Sequence, residues 1–372
     1  MPQSQYTPGA YFQISNLTRG VPNLYLTAPG TSPGAVTFEK PLSKDGVPDA
    51  SQLWYVMPLD NDRHLIVNRG SGLALGSKNG SKDLYTAVEQ QPAKADLIGG
   101  GQTWYMRMEA DHLSRAELVN ADSNLVLSPD TRSGYGYYPG KSPVLEAKYP
   151  PGVYHSQMFA LDCYSGYGAV APHLRRKPGD ADDIGDVIRL KGFAPPAGDR
   201  TDQVLVGSVL IPFPFINDPV LSRTRQGQEN PYYVLKRYGS WRNVYYYEHS
   251  GASAYTKEEE VTVGVTTSNT KEVEHTAGVK LTATSEFSFM GASTTLSVEA
   301  QYQLKVSTTT TSTSENTRKT TIRREYPAGP RRAEAIWYRE DRFVLERLNG
   351  EHVLEWAVRN PDRVITDAYP AR

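Results

Sequence analysis

The chain has 372 residues, 22% of them charged and 38% hydrophobic, the composition of an ordinary globular protein with room for two cored domains. Lys plus Arg number 40 against 41 for Asp plus Glu, a net charge of −1, so no basic field argues for nucleic acid. A single cysteine, Cys163, excludes an intramolecular disulfide and a cysteine-based zinc site.

The N-terminus, Met1-Pro2-Gln3-Ser4-Gln5, has neither a basic n-region nor an apolar core, so no secretory signal is read there and cytosolic synthesis with later release or deposition is expected. No run approaches the ~18 apolar residues of a transmembrane helix. Tyrosine outnumbers phenylalanine by 24 to 9, favouring strands and wet interfaces. Turn dipeptides punctuate the chain and helical periodicity is hard to find, so the expected class is all-β.

Residues 1–163 carry a threefold repeat. Gln52-Leu53-Trp54, Gln102-Thr103-Trp104 and Gln157-Met158-Phe159 recur at spacings of 50 and 55 residues. Each closes a unit that opens with a matching two-strand phrase. These are Phe12–Asn16 leading to Asn23–Leu26, Leu65–Asn68 leading to Gly72–Leu75, and Glu117–Asn120 leading to Asn124–Leu127. Three such units imply threefold pseudo-symmetry, because one alone cannot bury its apolar face.

The repeat resembles a ricin-B-type β-trefoil. That resemblance implies that Gln52, Trp54, Gln102, Trp104, Gln157 and Phe159 build the core and hydrogen bonds of each lobe. It also implies a shallow sugar pocket per lobe, with an Asp just after the second repeat strand. The matching positions here are Thr27, Gly76 and Ser128, so galactose in the usual geometry is not expected. The remaining carbohydrate candidates are Asn23 and Thr27 in the first lobe, and Ser128, Asp130, Tyr135 and Tyr137 in the third, with Tyr138 beside them. A glycan- or glycoconjugate-binding trefoil and a structural or protein-binding one both stay open.

Residues 164–186, with Gly166, Gly168, Pro172, Pro178, Gly179, Asp180, Asp182, Asp183 and Asp186, read as a solvated linker; the carboxylates lack EF-hand spacing. Residues 187–372 form the expected second domain. Strand signals run over Asp202–Pro214, Pro231–Tyr238 and Trp241–Glu248, and later over Arg342–Leu348 and Glu351–Trp356 through Asn349-Gly350, a type I′ hairpin signature.

Residues 278–306 read as one long amphipathic hairpin. Val279, Leu281, Ala283, Ser285, Phe287 and Phe289 line one face going in; Leu296, Val298, Ala300, Tyr302, Leu304 and Val306 line it coming back. Lys280, Glu286, Glu299 and Lys305 stand on the other face, and Met290-Gly291-Ala292-Ser293 marks the turn. Each arm has the ~10 residues that a tilted strand needs to cross a bilayer core. Such a hairpin can pack on a core in water or form a barrel wall in lipid. It is flanked by Glu258–Thr276, rich in Thr, Ser, Val and Glu, and by the tract Ser307–Ser314, which suit a solvated barrel stem; a disordered linker is the alternative for the tract.

This layout is similar to the aerolysin-like β-pore-forming family. Joined to a trefoil, it resembles mushroom haemolytic lectins and insecticidal proteins related to binary-toxin components. The resemblance implies a cell-surface glycan or glycoprotein receptor, homo-oligomerisation, membrane insertion, and in some relatives a second toxin component or a proteolytic cut. Arg323-Arg324 and Arg331-Arg332 are trypsin-like sites. The alternative is a soluble lectin with a β-sandwich partner domain. The histidines at 64, 112, 155, 173, 249, 275 and 352 form no metal-ligand spacing, and no nucleophile elbow or phosphate loop is present, so neither a catalytic site nor a cofactor is expected.

Overall fold

The structure, a computed structural model, describes residues 11–17, 22–59, 62–94, 100–109, 112–130, 132, 138–150, 157–164, 183–266, 270–281, 287–289 and 317–371. The chain is all-β apart from two short α-helices among the described residues, Arg223–Glu229 (α1) and Thr270–Ala277 (α2). It divides into two compact units. The first takes in Met1–His173 and Ile211–Tyr233; the second takes in Leu174–Leu210, Val234–Met290 and Glu299–Arg372. The excursion Ile211–Tyr233 thus groups with the first unit, although the sequence places it inside the second domain.

The first unit is a trefoil whose three lobes repeat one antiparallel pairing. Trp54 pairs with Asn68, Trp104 with Asn120, and Phe159 with Asn16. Alternation along these strands turns Phe12, Ile14, Trp54, Ile66, Trp104 and Leu118 into one core. Trp54 and Trp104 bury fully, and each indole N–H donates to a repeat-strand carbonyl, Leu26 at 2.9 Å and Leu75 at 3.0 Å. Phe159 takes the third position without needing an acceptor.

The excursion is held by close backbone approach. Gly72 adopts φ 68, and a Cβ there would lie 2.2 Å from the Thr224 carbonyl oxygen; one on Gly227 would lie 2.5 Å from the Gly72 carbonyl oxygen. Gln228 Nε2 adds a 2.6 Å bond to the Gly70 carbonyl. Sequence patterning misses α1 because seven residues give barely two turns for a period to show.

The strands of the second unit are labelled β1 (Val204–Pro212), β2 (Tyr232–His249), β3 (Tyr255–Val265), β4 (Val279–Leu281), β5 (Phe287–Phe289), β6 (Thr317–Tyr326), β7 (Arg332–Arg347) and β8 (His352–Tyr369). Six of them form a sheet in the order β1-β2-β7-β8-β3-β6. Pro361 lies where the β7–β8 register jumps, between Tyr338↔Val364 and Arg339↔Asn360, which is where a residue without an N–H is tolerated.

Two expectations need correction here. The β7–β8 hairpin exists, but its turn is not type I′: only Gly350 takes positive φ (87), Gly350 N donates to the Arg347 carbonyl at 2.9 Å, and Asn349 stays outside the positive region. The extra residue follows the type I-plus-bulge solution for longer hairpin loops. The far end of the expected linker is also packed rather than solvated. Ile184 is buried, and the Gly185 carbonyl accepts from Trp241 Nε1 at 2.9 Å.

Candidate functional site

The β3–β6 ladder is the described base of the amphipathic segment. It runs without a register shift from Tyr255↔Tyr326 to Gly264↔Thr317. Val261 and Val263 turn inward and join Ile322, Ile336, Tyr245 and Tyr338 in a buried cluster. Glu258, Glu260 and Thr262 alternate outward, where Glu260 meets Lys319 at 2.6 Å and Glu258 meets Arg323 at 3.5 Å. The polar strands flanking the hairpin are therefore two-faced, with charge pairs on the solvent side.

Beyond the ladder comes α2, which buries Val273, Thr276 and Ala277 on one side. Gly278 at φ 59 ends the helix in the left-handed conformation and leads into β4. There the structure departs from the expected single arm. β4 pairs with β5, setting Val279 opposite Phe289 and Leu281 opposite Phe287, so residues 279 and 289 face each other instead of lying ten residues apart along one strand. Val279 is buried in this arrangement. Of the remaining insertion residues, Lys280, Leu281, Phe287 and Phe289 are placed by backbone register only. Ala283, Glu286, Met290, Leu296, Val298, Glu299, Ala300, Tyr302, Leu304 and Lys305 lie outside the described residues.

In the trefoil, the three glutamines act alike. Each side-chain oxygen accepts a backbone N–H, from Leu42 at 2.8 Å, Lys94 at 3.0 Å and Tyr149 at 2.9 Å for Gln52, Gln102 and Gln157. Each amide nitrogen donates to a carbonyl, of Lys40, Pro92 and Ala147. That nitrogen also reaches Thr27 Oγ1 at 3.0 Å from Gln52 and Ser128 Oγ at 2.8 Å from Gln157. Thr27 and Ser128 are buried, so they serve the glutamines and are not open to a sugar. At the equivalent Gly76 a Cβ would sit 3.0 Å from Gln102 Cγ, closer than ordinary van der Waals contact, so a side chain there would press on the Gln102 side chain. The motif thus reads as a structural unit of three residues rather than a pocket with its carboxylate replaced.

Three asparagines, whose shared place at the end of each first repeat strand was visible in the sequence, form a second ring of polar supports. Asn16 Oδ1 accepts from Leu24 N at 2.6 Å, Asn68 Oδ1 from Ser71 N at 3.0 Å, and Asn120 Oδ1 from Ser123 N at 3.2 Å. Their burial with a backbone partner is what a turn after a core strand requires.

The other glycan candidates divide. Asn23 is exposed. Asp130 is bound by Arg132 through Nε at 2.9 Å and Nη2 at 2.8 Å, and this hydrogen bonding holds its carboxyl below the usual carboxylate range. The same guanidinium stacks 4.7 Å from the Tyr85 ring centroid. Tyr85 takes φ 64, a strained conformation for an aromatic residue, and presents an exposed ring beside exposed Leu84. The third-lobe site is thereby an Asp-Arg-Tyr stack, and Tyr85 is the member that sequence reading did not single out. Tyr135 and Tyr137 lie outside the described residues, while Tyr138 is exposed.

Arg331 and Arg332 stand at the start of β7, with Arg331 tied to Glu248 at 2.7 Å and stacked 4.3 Å over Phe193. Arg323 and Arg324 lie within β6. Among the described residues no group of three or more His, Cys, Asp or Glu could hold a metal ion.

Residues 204–371 match the family model described as Insecticidal Crystal Toxin, P42. The chain superposes on the crystal structure of Cry35Ab1 with TM-score 0.76 and 17% identity, over 98% of this chain and 91% of that one, so the two share a fold. A designed threefold-symmetric protein, ThreeFoil, matches at TM-score 0.34 and 21% identity over 41% of this chain and 97% of its own. A Macrolepiota procera ricin B-like lectin in complex with lactose matches at TM-score 0.32 and 14% identity over 42% of this chain and 98% of its own. No curated protein matches the chain in sequence.

Proposed function

We propose that this chain is an insecticidal pore-forming toxin. In this reading its trefoil engages a cell-surface glycan or glycoprotein, copies assemble into a ring, and residues 278–306 insert as hairpins of an aerolysin-like β-barrel. The observation that carries it is the match of residues 204–371 to an insecticidal toxin family, over the stretch that contains the alternating hairpin.

The physical steps follow from lipid as a solvent. A lone hairpin would leave two unpaired strand edges in hydrocarbon, each backbone group costing several kcal/mol, so insertion couples to ring closure. Receptor binding concentrates the chain at the surface and lowers the entropic barrier to assembly. Phe287, Phe289 and Met290 enter lipid first, and Lys280, Glu286, Glu299 and Lys305 face the lumen. Exposed Tyr85 with the Asp130–Arg132 pair, and Asn23 in the first lobe, are the glycan-contact candidates that survive burial. No step calls for a catalytic residue or cofactor. A second toxin component and a cut at Arg331-Arg332 remain part of the reading, the latter requiring release of Arg331 from Glu248 and Phe193.

The test is current across a planar lipid bilayer after addition of protease-treated protein. The reading expects discrete, stable steps from the wild type and none from Phe287→Asp, with receptor binding unchanged. Equal activity in both proteins sinks the role given to the hairpin.

A further inference from the structure

Resting on the reading that the trefoil engages a glycan, we infer that a cleft on the first unit is a carbohydrate site for a neutral oligosaccharide. It is built jointly by the first lobe, the second lobe and helix α1 of the excursion. The cleft has a volume of about 710 Å³ and is lined chiefly by Lys44, Asp45, Val47, Asp49, Arg69 and Gln228. That size suits a small ligand.

The cleft is not one of the lobe pockets that a ricin-type trefoil implies. Those would open beside Thr27, Gly76 and Ser128, none of which lines it. Instead Gly70, from the turn after the strand Arg63–Asn68, and Gln228, from α1, supply one wall. A trefoil without the excursion would lack that wall.

The walls are fixed before a ligand arrives, which lowers the entropic cost of binding. Residues 43–48 form a tight hairpin, Ser43 pairing with Pro48 and Lys44 with Val47. Its two turn residues, Asp45 at φ 53 and Gly46 at φ 77, have the left-handed backbone of a type I′ turn. Asp49 Oδ1 accepts from Ser51 N at 2.9 Å and Ser51 Oγ at 2.6 Å, and these bonds hold its carboxyl below the usual carboxylate range. The Arg69 guanidinium is held 4.8 Å from the Tyr11 ring centroid. Gln228 is tied by its 2.6 Å bond to the Gly70 carbonyl.

The lining chemistry selects the ligand class. Lys44 and Arg69 supply two positive charges and Asp45 and Asp49 two negative ones, so the lining favours neither a polyanion nor a polycation. An apolar ligand would strip water from these groups without replacing it. Lys44 and Asp45 make no hydrogen bond or ion pair among the described residues, and neither Asp49 Oδ2 nor Gln228 Oε1 is engaged there. A hydroxyl both donates and accepts, so one sugar ring can accept from Lys44 and donate to Asp45, Asp49 Oδ2 or Gln228 Oε1. Val47, 41% exposed, and Pro48 offer an apolar side for the C–H face of the ring.

The test applies the full chain to a printed array of neutral and sialylated oligosaccharides. The neutral oligosaccharide retained most is then titrated calorimetrically and its footprint read by hydrogen exchange. Retention of neutral over sialylated glycans is expected, with protection on binding in residues 43–50 and 69–70. Lys44→Ala and Asp45→Gly should each weaken affinity about tenfold or more, the loss of one bond to a charged group, with an unchanged urea midpoint. Glycine keeps the positive φ that residue 45 needs, so the turn survives the second substitution. Undiminished affinity in both variants, with protection confined elsewhere in the trefoil, overturns the cleft and leaves the glycan reading standing. Retention of sialylated glycans alone overturns the neutral class. No retained glycan at all overturns the glycan reading beneath it, a distinct result.

Discussion

Arg237 Nη2 donates a 2.8 Å hydrogen bond to Asp341 Oδ2, and neither side chain reaches solvent. Arg339 binds the other oxygen of the same carboxylate at 3.1 Å. The next residue along β7, Glu340, points to the opposite face and binds Arg359 at 3.0 Å and Arg200. One strand thus anchors four arginines by two adjacent carboxylates. Removing one partner of a buried pair leaves the rest uncompensated, at a cost of about 3–5 kcal/mol. Asp341→Ala is expected to lower the calorimetric melting temperature of the second unit by more than any single substitution on the exposed face of β3.

The trefoil makes a graded prediction. Trp54→Phe deletes the donor to the Leu26 carbonyl and is expected to cost about 1–3 kcal/mol, although Phe159 fills the equivalent place in the third lobe with no N–H to donate. Gln157→Leu strands three groups at once, Tyr149 N, the Ala147 carbonyl and Ser128 Oγ, and should cost more than Trp54→Phe in urea unfolding.

Gly227 is the test of the excursion. An added Cβ meets the Gly72 carbonyl oxygen at 2.5 Å, so backbone must shift. Gly227→Ala is expected to destabilise by about 1–3 kcal/mol, the usual range for overpacking. Hydrogen exchange should locate the loss of protection in residues 211–233.

A pH dependence follows from His64. Burial lowers its pKa below the usual 6.5, because desolvation disfavours the imidazolium. In the window below 6.5 the unfolded chain therefore binds more protons, and stability falls as pH drops from 6.5 toward the lower folded value. His64→Phe should flatten that part of the stability profile of the first unit; an unchanged slope assigns the proton uptake elsewhere.

Much of this fold was legible in sequence, because repetition and alternation are physical demands on a buried face. The Gln-x-aromatic repeats of Gln52, Gln102 and Gln157 fall at equivalent places, and β7 and β8 meet at Asn349-Gly350 as expected. What failed is equally instructive. Thr27 and Ser128 were legible as positions but not as hydrogen-bond partners of Gln52 and Gln157, since burial is set by neighbours distant in sequence. Helices α1 and α2 are too short for a helical period to outweigh strand patterning. The β4–β5 pairing was hidden because one alternating sequence supports both a local hairpin and a long arm.

The central claim is that the alternating face of residues 278–306 lines a water-filled pore, and ion selectivity tests it most directly. Reversal potentials in a salt gradient should shift toward anion preference when Glu286 and Glu299 are both replaced by Lys, while Thr282→Lys moves them in the same direction by less. Channels that persist with an unmoved reversal potential would contradict the assignment of this face to the lumen.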